Sequence, residues 1–178
     1  MKDTILLVVD VQTALIEEHP YNETKVIKNI KQLIHTSRQA GIEVVYVRHD
    51  GGVGGDLEIN TKGWQIYHEI APESGEMIFD KKYCSSFLKT GLKEYIDNKE
   101  IKTIILVGMQ TEYCIDTTCK TAFEHGYKVI IPKETNTTFD NAYLTSEKLY
   151  EFYNYMIWDN RFGQLISVDD LEIELQRG

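Results

Sequence analysis

Apolar residues along this chain fall into two patterns. The first is a set of short continuous runs at residues 5–9, 43–47, 77–79, 103–107, 127–131 and 164–168. Runs that do not alternate with polar residues mark strands buried on both faces. The second pattern is helical. Over residues 23–39, Val26, Ile30, Leu33 and Ile34 form one apolar stripe, and Gly41 follows as a stop. Further helices are predicted over 90–98, over 112–125 with Gly126 as cap, and over 141–158 with Leu144, Leu149, Phe152 and Met156 inward. Residues 169–178 read as a polar end or a short helix, with Asp169-Asp170-Leu171-Glu172 as a solvated terminus.

Strands of this kind alternating with helices predict an α/β fold. The expected form is a three-layer α/β/α sandwich around a mainly parallel six-stranded sheet with right-handed crossovers. Only three prolines occur and no Ser/Gly linker interrupts the chain, so residues 1–178 read as one domain. Open sheets of this type bind ligands beyond the carboxyl ends of their strands. The residues in that position are Asp10, then Arg48, His49 and Asp50, then Lys81, then the turn at Gly108, then Pro132-Lys133-Glu134. A loop of about 25 residues begins at Gly51, long enough to suggest a functional role.

Composition narrows the function classes. The 178 residues are 42% hydrophobic and 26% charged, the make-up of a soluble globular chain. A formal charge of −9 works against nucleic-acid or anionic-membrane partners and says little about a small-molecule substrate, because a pocket can carry its own local charge. The run at residues 5–9 is too short for a signal peptide, and none reaches the roughly 18 apolar residues of a membrane helix. Cys84, Cys114 and Cys119 are too few and too odd for a disulfide framework, which suggests a reducing, cytoplasmic setting.

Cys114 is the residue best placed for chemistry. In the first turn of its predicted helix it meets orphan backbone N–H groups and the positive end of the helix dipole. Both favour a thiolate, the form a covalent nucleophile uses. A buried structural cysteine is the competing reading. Asp10, at a strand end, is placed to accept a thiol proton or to cap a helix. Lys81, also beyond a strand, is placed to favour the ionised forms of both, although its neighbour Lys82 competes for that role.

These residues lie in segments that resemble the isochorismatase-like cysteine hydrolases, the superfamily that includes nicotinamidases and N-carbamoyl amino-acid amidohydrolases. Leu7-Val8-Val9-Asp10-Val11-Gln12 is similar to the family's aspartate–glutamine start. Lys81-Lys82-Tyr83-Cys84-Ser85-Ser86-Phe87 resembles its lysine segment, and Gly108-Met109-Gln110-Thr111-Glu112-Tyr113-Cys114-Ile115-Asp116-Thr117-Thr118-Cys119 resembles its nucleophile segment. The resemblance implies an amidase acting on a small non-peptide C–N bond through an acyl-enzyme. Cys114 would be the nucleophile, Asp10 the base and Lys81 its orienting partner. It also implies a non-proline cis peptide between Met109 and Gln110, and an oxyanion site at the backbone N–H groups of Gln110 and Cys114.

Nicotinamidases carry a metal site built on an Asp-x-His pair, and the matching Val47-Arg48-His49-Asp50-Gly51 has none. No metal and no cofactor are therefore expected, with His49 and His68 the only histidines near enough to raise the question. Pocket candidates are Gln12, Arg48, His49, Trp64, Phe87 and Tyr113. Cys119, five residues beyond Cys114, reads as packing. The tyrosine-rich stretch Tyr150-Glu151-Phe152-Tyr153-Asn154-Tyr155, with the family's habit, suggests a homodimer or homotetramer. The alternatives are a small-ligand-binding or scaffold protein that keeps the fold, and an ester hydrolase.

Overall fold

A computed structural model describes residues 3–177; Met1, Lys2 and Gly178, which the one-domain expectation includes, lie outside the described residues. The chain runs β1 (Thr4–Val9), α1 (Thr13–Glu17), α2 (Glu23–Gln39), β2 (Glu43–His49), a 3-10 turn (His68–Ile70), β3 (Met77–Lys81), α3 (Leu92–Asn98) and β4 (Thr103–Met109). A π-helical turn (Thr111–Ile115) then leads into α4 (Asp116–Glu124), β5 (Lys128–Pro132), β6 (Asn136–Thr137) and α5 (Ser146–Glu151). A second π-helical stretch (Phe152–Trp158), β7 (Gln164–Ile166) and α6 (Val168–Arg177) complete it.

The sheet has seven strands where six were expected. Its main path is β3-β2-β1-β4-β5-β7, and the two-residue β6 pairs with the end of β4. All of these pairings are parallel. The extra strand is short and polar, so it gave no apolar run to read. Side chains of β1 alternate between two apolar layers. Leu6 and Val8 pack with α2 and α6, while Ile5, Leu7 and Val9 pack with residues of α3, α4 and Trp158. That is the three-layer sandwich the runs predicted.

One helix departs from expectation, and the last segment takes the helical one of its two readings. Over 141–158 the helix starts only at Ser146 and passes into π-helical geometry after Glu151. The wider turn rotates the inward face. Leu149, Tyr150, Asn154 and Trp158 are buried, whereas Leu144, Phe152 and Met156 are exposed. The C-terminal segment is a helix and not a free solvated end. Leu171 and Leu175 are buried against α2, and Glu172 accepts hydrogen bonds from Gln32 (2.6 Å) and Thr36 (2.5 Å).

Candidate active site

Adjacent parallel strands deliver the central residues to one rim. Val9 of β1 is in register with Gly108 of β4 and with Val47 of β2, and His49 of β2 is in register with Lys81 of β3. The residue after Val9 is Asp10, which leaves the strand in left-handed backbone geometry (φ 54°), a conformation aspartate tolerates better than most residues. β4 ends at the Met109–Gln110 peptide, which is cis. The Gln110 carbonyl then accepts from the N–H groups of Tyr113 (3.2 Å) and Ile115 (3.1 Å), closing the π-turn around Cys114.

Lys81 sits at the centre of the cluster, its side chain fully buried. Its Nζ donates to Asp10 Oδ2 at 2.7 Å and to Cys114 Sγ at 3.1 Å, and lies 3.2 Å from His49 Nδ1. An ammonium only donates, so Nδ1 is the acceptor and the His49 ring proton sits on Nε2. Burial, and then the Lys81 charge, hold the His49 imidazole below its usual value, so it is neutral at neutral pH.

Electrostatics at the other members follow from the same enclosure. Burial lifts the Asp10 carboxyl above its ordinary range, with Lys81 pulling the other way. The Lys81 ammonium is raised, since Asp10 and Cys114 outweigh its own burial. Burial and then the Asp10 charge push the Cys114 thiol well up, against the pull of Lys81. This reverses the expectation of a dipole-stabilised thiolate. Cys114 lies in a π-turn packed within an apolar cluster, and the loss of solvent outweighs the turn's N–H groups. The resting pair is a thiol beside an unusually basic carboxylate. Alkylation of Cys114 by iodoacetamide, mapped by peptide mass, is therefore expected to be slow at pH 7 and to climb without levelling off up to about pH 9. A plateau at or below neutral pH would contradict this protonation state.

The remaining sequence candidates divide sharply. Gln12 is fully buried and spends its amide on backbone: Nε2 donates to the carbonyls of His49 (3.0 Å) and Trp64 (2.8 Å), and Oε1 accepts from His49 N–H (2.8 Å). It organises the rim and offers nothing to a ligand. Arg48 points to the opposite side of β2 from His49, as strand alternation requires. Its guanidinium is held by both Asp80 oxygens (2.8 and 3.1 Å) and lies 3.6 Å over the Trp64 ring. Arg48 and Trp64 therefore pin the long loop to β2 and β3 and do not form a free pocket wall. Phe87 packs in the core, stacked on Tyr127. Tyr113, 51% exposed beside Cys114, is open to a ligand. The lysine ambiguity resolves too: Lys82 is exposed and pairs with Asp50 at 3.3 Å. Cys119 is fully buried in α4, and burial pushes its thiol up to about 12.

Among the described residues, Asp10, His49 and Cys114 form the one group of metal-type donors that converge, all within 4.8 Å of one another. The Lys81 ammonium already bonds to each of them. A metal ion there would have to displace a buried cation, so the donor set does not fit a metal. His68 is outside this group and packs edge-on against Tyr67.

Sequence reading missed Asp80 and a buried polar trio of Thr111, Asn136 and Asn154, in which Thr111 Oγ1 donates to Asn136 Oδ1 (2.9 Å). A lone asparagine among the aromatics of residues 150–158 was the available signal for the latter.

Comparison with known proteins finds relatives of this chain. A streptothricin hydrolase from Streptomyces noursei is 31% identical over 137 residues, covering 76% of this chain and 50% of that protein. The chain thus spans about half the length of the streptothricin hydrolases it matches. An N-carbamoylsarcosine amidase from Arthrobacter is 27% identical over 175 residues, covering 86% of this chain and 63% of that protein. The crystal structure of an isochorismatase family protein superposes with a TM-score of 0.87 at 26% identity, covering 94% of this chain and 99% of the other. Residues 4–170 match the Isochorismatase domain family, and the chain belongs to that family.

Proposed function

We propose that this protein is a cysteine hydrolase that cleaves a C–N bond of a small amide or ureido compound through a Cys114 acyl-enzyme. One observation carries the reading: a buried lysine bonded at once to a carboxylate (2.7 Å) and a thiol (3.1 Å) at the carboxyl rim of a parallel sheet. A relative named as an N-carbamoylsarcosine amidase supports the C–N bond, and relatives named as streptothricin hydrolases support hydrolysis.

The chemistry follows from the protonation states. Asp10 Oδ1 is buried without a hydrogen-bond partner, and an oxygen of the same carboxylate lies within 4.8 Å of the Cys114 sulfur. As Cys114 sulfur attacks the substrate carbonyl, its proton passes to Asp10, whose raised basicity suits it to the task. Lys81 stays charged and steadies the negative charge as it moves from carboxylate to sulfur to carbonyl oxygen. The backbone N–H groups of Gln110 and Cys114 are assigned to the oxyanion. Asp10 returns the proton to the leaving nitrogen as the C–N bond breaks, leaving a thioester. Water, deprotonated by Asp10, then attacks that thioester, and the acid departs as the Cys114 thiol re-forms. Neutral His49 accepts from Lys81 and needs no proton of its own to move.

The test is intact-mass spectrometry with product assay on wild type and Cys114→Ser, using a panel of small amides, N-carbamoyl amino acids and activated esters. The expected result is product and a transient acyl mass in wild type, with turnover in the variant reduced by at least about 10³-fold. Undiminished turnover in the variant overturns the nucleophile assignment. Turnover of esters alone would move the reading to an ester hydrolase.

A further inference from the structure

The nucleophile's turn is held at both ends by a segment about forty residues further along the chain. Within the π-helical stretch Phe152–Trp158, the side chains of Asn154 and Trp158 are fully buried, and each reaches toward the Cys114 segment. Trp158 Nε1 donates to Asp116 Oδ1 at 2.9 Å, two residues beyond the nucleophile. On the other side, Asn154 and Asn136 form a reciprocal amide pair: Asn136 Nδ2 donates to Asn154 Oδ1 (2.9 Å), and Asn154 Nδ2 donates to Asn136 Oδ1 (3.0 Å). Asn136 Oδ1 has a second lone pair, and Thr111 Oγ1 donates to it at 2.9 Å. The remaining Asn154 proton goes to the Tyr150 carbonyl at 2.8 Å.

Every strong acceptor in this network is occupied, and Thr111, Asn136 and Asn154 are all at 0% exposure. A satisfied, dry polar network has one low-energy arrangement, which makes it a device for fixing geometry. It meets the backbone where geometry matters. β6, which carries Asn136, pairs with Gly108 and Met109, the residues just before the cis peptide. Thr111 opens the π-turn that ends at Ile115, so its hydroxyl ties down the start of the arc that presents the Cys114 sulfur to Asp10 and Lys81.

We infer that Asn154 and Asn136 are positioning residues, which act through the Thr111 hydroxyl to hold Cys114 against Asp10 and Lys81. The inference rests on the hydrolase reading only for its catalytic consequence; its geometric content stands on the network itself. A loosened turn lets the thiol move toward solvent and away from the Asp10 carboxylate. The enclosure that keeps it protonated then weakens, and the alignment that lets it attack is lost. Reactivity toward a small alkylating agent and catalytic turnover should move in opposite directions.

The experiment uses Thr111→Val, which keeps shape and removes the one hydroxyl, with Thr111→Ser as the rescue and Asn154→Leu as a second break in the same network. Peptide-mapped alkylation by iodoacetamide reads Cys114, and Cys119, fully buried five residues further on, serves as an internal gauge of unfolding. In Thr111→Val and Asn154→Leu, the expected result is about tenfold faster alkylation of Cys114 with Cys119 still protected. It comes with kcat lowered by about 10–100-fold at nearly constant KM, because alignment and not binding is lost. Thr111→Ser should recover most of both. Cys114 alkylation unchanged in both broken variants overturns the inference, as does Cys119 rising in step with Cys114 or a serine variant no better than valine. A wild type that hydrolyses nothing in the panel would count against the hydrolase reading, while the alkylation contrast would still decide the positioning role.

Discussion

Lys81→Met is expected to cut hydrolysis by at least about 10³-fold and to cost about 3–5 kcal/mol of stability near neutral pH. Methionine fills the space of the buried stem, so the change isolates the ammonium. Without it, the Asp10 carboxylate is left at 2% exposure with no cation beside it. Burial already raises that carboxyl, and Lys81 is the largest influence holding it down. Removing the lysine lets Asp10 take up a proton, and a protonated Asp10 cannot accept one from Cys114.

The pH dependence has a definite sign. An acid whose folded pKa lies above its unfolded value binds its proton more tightly in the folded state. Its contribution therefore favours folding as pH falls toward the folded pKa and opposes folding as pH rises. In Lys81→Met that effect is enlarged. The stability deficit relative to wild type, from urea denaturation, should be smaller at about pH 5.5 than at about pH 8. Any residual activity should have its acidic limb shifted to higher pH. Arginine is not expected to rescue, because its planar fork cannot take the position of a point donor shared among three acceptors. Lys82→Met, one residue along and exposed, should leave both properties unchanged. A deficit equal at both pH values would show that Asp10 is not the group left stranded.

That neighbouring pair of lysines shows what the sequence could carry. Continuous apolar runs gave the strands, and the rule that ligands gather at their carboxyl ends gave a set that held Asp10, His49, Lys81 and the turn after β4 together with Arg48, Asp50 and Pro132-Lys133-Glu134. What one residue's position along a strand could not supply was its side. Arg48 and His49 look equally placed in sequence, yet alternation sends His49 to Lys81 and Arg48 to Asp80 and Trp64. The π-helical stretch was hidden for a related reason. A helix read at 3.6 residues per turn put Phe152 and Met156 inward, and the wider turn buries Asn154 and Trp158 instead. The protonation state of Cys114 was illegible because it depends on how completely the neighbouring layers exclude water, which no local motif states. In α6, Val168, Leu171 and Leu175 are buried, and the acidic residues between them had made the segment read as a solvated terminus.

Gly108→Ala is expected to be the most damaging single methyl group in the chain, costing about 4 kcal/mol or more or leaving the protein insoluble. Gly108 has φ of 128°, and an added Cβ would lie 1.9 Å from the Val9 carbonyl oxygen and 2.9 Å from its nitrogen. Those atoms are backbone in the centre of the sheet, so no rotamer change relieves the overlap. β1 and β4 must separate at the register pair Val9–Gly108, one residue before Asp10. The close approach that excludes a side chain is thus what brings the strand ends carrying the carboxylate and the thiol together. Gly126→Ala is the informative contrast. It also has positive φ, 88°, but nothing within 4 Å of the added carbon, so it should cost only the backbone strain of about 1–2 kcal/mol. Urea denaturation of the two variants separates strain from collision. If Gly108→Ala is no worse than Gly126→Ala, the strands tolerate separation, and the tight β1–β4 contact is not what sets the distance between Asp10 and Cys114. If it is folded but weakened, turnover should fall further than stability does, because small displacements of a nucleophile from its base are far costlier to rate than to folding.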